Sequence, residues 1–156
     1  MARTPRVTLP GVTHHRHRLN GIRLHWVEQG EGFPIVLLHG FPEFWWSWRH
    51  QIAPLAEHFR VVAVDMRGYN ESDKPNYGYD LRTLAGDITA LIDHLGGKAH
   101  VVGHDWGGIV AYQVCLDAPD RVGKLAILNA PHPDAWIESW LTDAEQQRKS
   151  WYVFLD

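Results

Sequence analysis

His100-Val101-Val102-Gly103-His104-Asp105-Trp106-Gly107-Gly108, followed by the apolar stretch Ile109 to Leu116, is the segment whose reading decides the fold. A short β-branched run that meets a Gly-x-Asp-x-Gly turn and passes at once into a helical pattern reads as strand, sharp turn and helix. Small residues are needed on both sides of the turn. The central side chain is pushed out above the sheet, and backbone passes close by on either side. Upstream, Ile35 to Leu38 is a continuous apolar run after Gly32 and Pro34, as expected of a central strand buried on both faces, and it ends at His39-Gly40-Phe41-Pro42. Arg60 to Val64 repeats the pattern and ends at Asp65, before a turn-rich stretch from Arg67 to Tyr79. Leu125 to Asn129 is the last strand expected.

Helices are expected between these runs. Trp45, Trp48, Ile52, Leu55 and Ala56 recur at three and four, predicting a helix within Glu43 to His58, with Pro54 weakening its later half. Leu84, Ile88, Leu91, Ile92 and Leu95 trace a second stripe that Gly96-Gly97 ends. Thr13 to Leu19 and Ile22 to Gln29 read as two strands joined by Asn20-Gly21, a hairpin signal. Pro131-His132-Pro133 breaks the pattern, and Ala135 to Leu155 reads as a Trp-rich, partly amphipathic helical region. The alternation predicts an α/β fold: a mainly parallel sheet with helices on both faces, opened by an antiparallel pair.

Composition narrows the function classes. Of 156 residues, 45% are hydrophobic and 21% charged, the balance of a packed globular domain rather than a fibre or a disordered chain. The net charge of -3, with 15 Lys and Arg spread along the chain, carries no footprint for nucleic acid or an anionic membrane. No signal peptide or transmembrane run is visible, and the one cysteine, Cys115, fits a reducing compartment, so a cytoplasmic location is expected. His14, His15 and His17 suggest metal, yet alternate residues on an edge strand read more simply as a solvated face, and no metal or cofactor is expected. Cys115 reads as a small buried hydrophobe.

The chemistry turns on what occupies the centre of the turn. Serine is usual there, and a serine hydroxyl needs a base to become nucleophilic, whereas a carboxylate of ordinary pKa ~3.9 is already ionised at neutral pH. Asp105 can therefore attack a saturated carbon such as that of an epoxide or haloalkane, giving an alkyl ester on the protein. Cleavage of that ester passes through an oxyanion and calls for backbone N–H donors. The Trp106 N–H, at a helix start, and the Phe41 N–H, in the turn after Ile35 to Leu38, are the candidates. Taken alone, Asp105 could equally be an ordinary carboxylate at a helix N-terminus.

Three further motifs stand in order around it: His39-Gly40-Phe41-Pro42-Glu43 with Trp46, Ser47, Trp48 and Arg49; Asp65-Met66-Arg67-Gly68-Tyr69 with Ser72-Asp73-Lys74-Pro75; and Asn129-Ala130-Pro131-His132-Pro133. With Gly103 to Gly108 they resemble the N-terminal half of an epoxide hydrolase of the α/β-hydrolase superfamily. The resemblance implies an α/β-hydrolase fold that is C-terminally truncated, with residues 1–133 forming the N-terminal part of the core and 134–156 the beginning of a helical cap. It implies a hydrolase that opens a small-molecule epoxide, with Asp105 as nucleophile and Phe41 and Trp106 as oxyanion donors. Ser150 to Leu155 resembles the cap segment carrying a tyrosine that donates to the epoxide oxygen, which maps onto Tyr152. The family's second cap tyrosine, triad acid and general-base histidine have no counterpart in this sequence, so a catalytically inactive fragment is expected.

Two alternatives stand beside this reading. Haloalkane dehalogenases share the Asp nucleophile and the following Trp, but they often carry an Asn halide donor where this chain has Phe41. A non-catalytic fragment that associates through its exposed sheet edge is the other. Trp106 speaks against the fluoroacetate dehalogenases, which tend to have Arg there, and Asp105 against a serine esterase. His39 and His104 read as orienting or packing residues and Arg67 as structural, while Trp45, Trp46 and Trp48 fit the lining of a substrate pocket, with core packing explaining two of them equally well.

Overall fold

The computed structural model describes residues 7–151. Strands β1 (Thr13–Leu19), β2 (Ile22–Gln29), β3 (Pro34–Leu38), β4 (Arg60–Asp65), β5 (Ala99–His104) and β6 (Val122–Leu128) form one sheet in the order β1-β2-β4-β3-β5-β6. β1 and β2 form an antiparallel hairpin closed by the pair Leu19↔Ile22. Its two turn residues, Asn20 (φ 46°) and Gly21 (φ 83°), both take the left-handed backbone that such a tight turn demands. β2 pairs antiparallel with β4, and the β4-β3-β5-β6 block is parallel.

The period of two along the central strands divides their side chains between two cores. Val36, Leu38, Val62 and Val64 face helices α2 (Leu81–His94) and α3 (Trp106–Asp117), with Ile88, Leu91, Val110 and Val114 packed against them. Ile35, Leu37, Val61 and Ala63 face the opposite layer, where Trp45, Trp48 and Ile52 close over them from a 3₁₀ turn (Trp45–Trp48) and helix α1 (Arg49–Ala56). Trp45 and Trp48 are thus core residues, and the less buried Trp46 has the Arg49 guanidinium 5.6 Å from its ring centroid.

Several elements differ from their expected bounds for local reasons. The helix expected over Glu43 to His58 is split, and its α-helical part runs through Pro54 but ends two residues later, since proline supplies no N–H to the preceding turn. α3 starts at Trp106 rather than Ile109, because the Asp105 carbonyl accepts from the Gly108 and Ile109 N–H groups at 2.9 and 3.2 Å. β6 begins earlier than expected and stops before Asn129, whose φ of 50° takes it out of the strand. Pro133 does not break a helix but opens one: α4 (Pro133–Thr142) carries it in its first turn, where a missing N–H costs nothing. α5 (Ala144–Lys149) follows after Asp143, whose side chain caps it. His15 and His17 are not merely solvated, since both stack on Trp26, and Cys115 is half-buried rather than fully buried.

Charged groups tie the layers together. Glu28 on β2 accepts from Arg60 Nε and Nη2 at 2.7 and 3.0 Å. Burial raises the Glu28 carboxyl, but the Arg60 hydrogen bond and charge outweigh it and leave it below its ordinary 4.5. A carboxyl depressed on folding contributes stability above its unfolded-state value and loses it as pH falls through the folded-state value. Glu28→Gln is therefore expected to cost up to about 1 kcal/mol at neutral pH. Urea unfolding at a series of pH values should show the gap from wild type closing as pH drops below 4.5.

Candidate active site

The sheet order places β4 on one side of β3 and β5 on the other. Chain leaving β3 and chain leaving β5 therefore diverge to opposite sides, opening a crevice at their carboxyl ends, where ligands bind in open α/β sheets. The two turns that flank this crevice are His39–Pro42 and Gly103–Gly108.

Asp105 sits at the tip of the second turn with φ 52° and ψ -119°, far from any ordinary region for a residue with a side chain. Strain of this kind costs roughly 1–3 kcal/mol and persists only where the surroundings over-determine it. Here the surroundings are backbone. A Cβ on Gly103 would lie 2.4 Å from the Gly107 carbonyl oxygen, and one on Gly107 would lie 2.5 Å from the carbonyl oxygens of both Leu38 and His39. The Asp105 N–H donates to the Leu128 carbonyl at 3.0 Å, which anchors the turn to the end of β6.

The Asp105 side chain is exposed, and its Oδ1 accepts from the Phe41 N–H at 3.0 Å. The Phe41 ring is 71% exposed, so the contact of this residue with Asp105 is made by its backbone. Trp106 is half-buried, packs against the core under α2 and α3, and begins α3 directly after Asp105. In the first turn of a helix its N–H has no intrahelical acceptor, which suits it to a developing anion. Tyr152 lies outside the described residues.

The first turn is held by groups whose roles the sequence reading had only as orienting. Fully buried His39 stands within 2.8 Å of the Gly40 carbonyl through Nδ1, while its Nε2 accepts from the Met66 N–H at 3.1 Å. These partners put the ring proton on Nδ1. Burial also pushes the His39 pKa down, so the ring is a neutral tie between the β3 and β4 loops with no nitrogen left for proton transfer. Glu43 Oε2 accepts from the Gly40 N–H at 3.1 Å and lies 3.3 Å from His104 Nδ1, linking the two turns of the crevice. Its contact with His104 was not legible beyond membership of a motif, because the sheet brings that turn to it across 61 residues.

Two further residues became visible only in three dimensions. The Tyr69 ring meets His39 edge-on at 4.8 Å, and burial first, then the Asp105 charge, raise its phenol and keep it protonated. Asp87, on α2, binds Arg67 through both oxygens at 2.7 and 2.8 Å, and that guanidinium is 3% exposed. Arg67 is structural, as expected. It also borders a surface depression lined by Asn20, Ile22, Tyr77, Arg82 and Thr83, but its charge is already matched there by Asp87.

Comparison with known proteins bears on the fold that carries this arrangement. Residues 34–156 match the family model for the alpha/beta hydrolase fold. Over 119 residues the chain is 50% identical to a soluble epoxide hydrolase of Corynebacterium sp., a match covering 76% of this chain and 42% of that protein. Over 142 residues it is 46% identical to epoxide hydrolase 1 of Caenorhabditis elegans, covering 88% of this chain and 35% of that one. A crystal structure of an epoxide hydrolase variant from Bacillus megaterium superimposes with a TM-score of 0.85 at 38% identity, covering 88% of this chain and 50% of that one. The chain thus spans about two-fifths of the length of these curated relatives. Among the described residues, no helix is long and apolar enough to cross a membrane. A parallel sheet with its sharp, strained turn at the switch point, together with the family match over most of the sequence, leads to one assignment: the chain belongs to the α/β-hydrolase fold family.

Proposed function

We propose that this chain carries the nucleophile half of an epoxide hydrolase and captures an epoxide on Asp105. The observation that carries the reading is the exposed Asp105 carboxylate held on a strained turn with the Phe41 N–H 3.0 Å from Oδ1. In the proposed step a carboxylate oxygen forms a bond to an epoxide carbon while that carbon's bond to the ring oxygen breaks. The departing alkoxide takes a proton from a donor, a role we assign to the Tyr152 hydroxyl because a phenol of pKa ~10 stays protonated at neutral pH. The product is an alkyl ester on Asp105. Its cleavage would pass through an oxyanion on the Asp105 carboxyl carbon, stabilised by the Phe41 and Trp106 N–H groups, each worth ~2.7–4 kcal/mol.

The names of the relatives support epoxides as the substrate class. We assign residues 1–133 to the hydrolase core and 134–156 to the start of a cap. Ile137 and Leu141 of α4 are 51% and 72% exposed, as suits a layer that closes over a substrate. We assign to this span the capture of the epoxide and not the release of the ester. The expected behaviour is one alkylation per chain without turnover, in the cytoplasm and without a cofactor.

Incubation with an aryl epoxide followed by intact-mass measurement tests the reading. A single adduct of substrate mass that maps to a peptide containing Asp105 supports it; a folded sample that gains no mass overturns it. Gly40 offers a finer probe of the geometry. A Cβ there would lie 2.9 Å from Asp105 Cβ and 3.0 Å from both Oδ1 and His104 Nδ1. Gly40→Ala is therefore expected to push the carboxylate off the Phe41 N–H and slow adduct formation about tenfold, equivalent to about 1.4 kcal/mol. A time course of adduct mass reads the rate.

A further inference from the structure

His14 on β1, His25 on β2 and Glu71 in the loop after β4 come together beside the carboxyl end of β4, and one ligand atom from each lies within 4.8 Å of the others. We propose that these three residues form a binding site for a divalent transition-metal cation of the Zn²⁺ type, which clamps the edge hairpin to that loop. This set differs from the sequence triplet His14, His15 and His17, for which no metal was expected. The alternation of β1 turns His15 and His17 toward Trp26, while His14 faces His25.

Second-sphere groups orient the ligands. His25 and Asp65 are both fully buried, with His25 Nδ1 2.6 Å from Asp65 Oδ2. A carboxylate can only accept, so His25 carries its proton on Nδ1 and turns the Nε2 lone pair toward His14, whose Nδ1 is 2.9 Å away. A carboxylate behind the distal nitrogen fixes the tautomer and raises the basicity of a metal-binding histidine. The same Asp65 oxygen accepts from the Glu71 N–H at 3.3 Å and from Asn70 Nδ2 at 2.8 Å, so one buried carboxylate holds both the second ligand and the loop bearing the third.

The distances between the two histidines suit such an ion. Four-coordinate Zn²⁺ at its usual bond lengths sets its ligand atoms about 3.3 Å apart, so the two histidines need open by only a few tenths of an ångström. On binding, His14 shifts its proton from Nδ1 to Nε2 through solvent and stays neutral. Glu71 is paired with Arg16, a contact that a bound cation would compete with. Two imidazoles and one carboxylate leave a fourth position for water, and the preference for nitrogen selects Zn²⁺ or Co²⁺ over Mg²⁺ or Ca²⁺.

Titrating the whole chain with Co²⁺, followed by visible d–d absorption, and with Zn²⁺ by calorimetry tests the site. One equivalent is expected to bind, with the intensity of four-coordinate Co²⁺ and a rise in the unfolding temperature. His14→Ala and, separately, Glu71→Gln should each weaken binding by at least about tenfold. His58→Ala, an exposed histidine elsewhere, should leave it unchanged. Absence of stoichiometric binding to the wild-type chain, or equal affinity in wild type, His14→Ala and Glu71→Gln, overturns the proposal.

Discussion

Asp105→Asn is expected to abolish covalent capture of an aryl epoxide, slowing adduct formation by at least about a thousandfold, or about 4 kcal/mol in the barrier. The substitution keeps the size of the side chain and an oxygen that can still accept from the Phe41 N–H, so the turn and the crevice stay in place. What it removes is the negative charge, and a neutral amide oxygen is a poor nucleophile toward a saturated carbon. The rate loss therefore isolates the chemical role of the carboxylate from its positional one. The main competing nucleophile is the free thiol of Cys115, and burial raises its pKa and leaves it mostly protonated. Intact mass with peptide mapping distinguishes the two. An adduct that forms at the wild-type rate in Asp105→Asn, or that maps to Cys115, would remove Asp105 from the mechanism.

Asp87→Ala is expected to cost the fold about 3–5 kcal/mol, the typical penalty for stranding one partner of a buried ion pair. Asp87 is 1% exposed and receives three hydrogen bonds, two from Arg67 and one from Asn20 Nδ2 at 2.8 Å. It thereby joins α2 to the loop after β4 and to the β1-β2 turn. Removing it leaves the Arg67 guanidinium buried without a counter-charge. Chemical denaturation gives the loss directly, and the double variant Arg67→Met with Asp87→Leu should recover most of it, because an apolar pair has no desolvated charge to offset. A loss under about 1 kcal/mol in Asp87→Ala would mean that Arg67 finds water or another carboxylate once Asp87 is gone.

The two largest effects differ in how far they could be read from the chain. The turn that carries Asp105 is legible in the chain, because a turn between close-packed backbones needs small residues at 103, 107 and 108, and those positions stand close together in sequence. Its partner Phe41 was within reach because the end of an apolar run marks where a strand stops. Asp87 gave no signal. It lies on the stripe side of α2, where a lone carboxylate in a helical pattern looks like an ordinary solvated residue. The triplet His14, His15 and His17 reads in sequence as one solvated face, while strand alternation sends His14 to His25 and His15 and His17 to Trp26.

Local patterns alone determined the strands, the hairpin turn at Asn20-Gly21, the helix periods and the residue type at the sharp bend. These depend on steric limits and on the burial of residues a few positions apart, which the order of amino acids states directly. Tertiary structure alone decided that β4 and β5 flank β3 and so open a crevice, and that the Phe41 N–H meets Asp105 across 64 residues. It also decided that Asp65 orients His25 across 40 and that Arg67 is neutralised by Asp87. Such contacts arise from sheet pairing and from the desolvation of charges in a shared core. Each depends on the positions of two distant segments at once, and neither segment carries that information by itself.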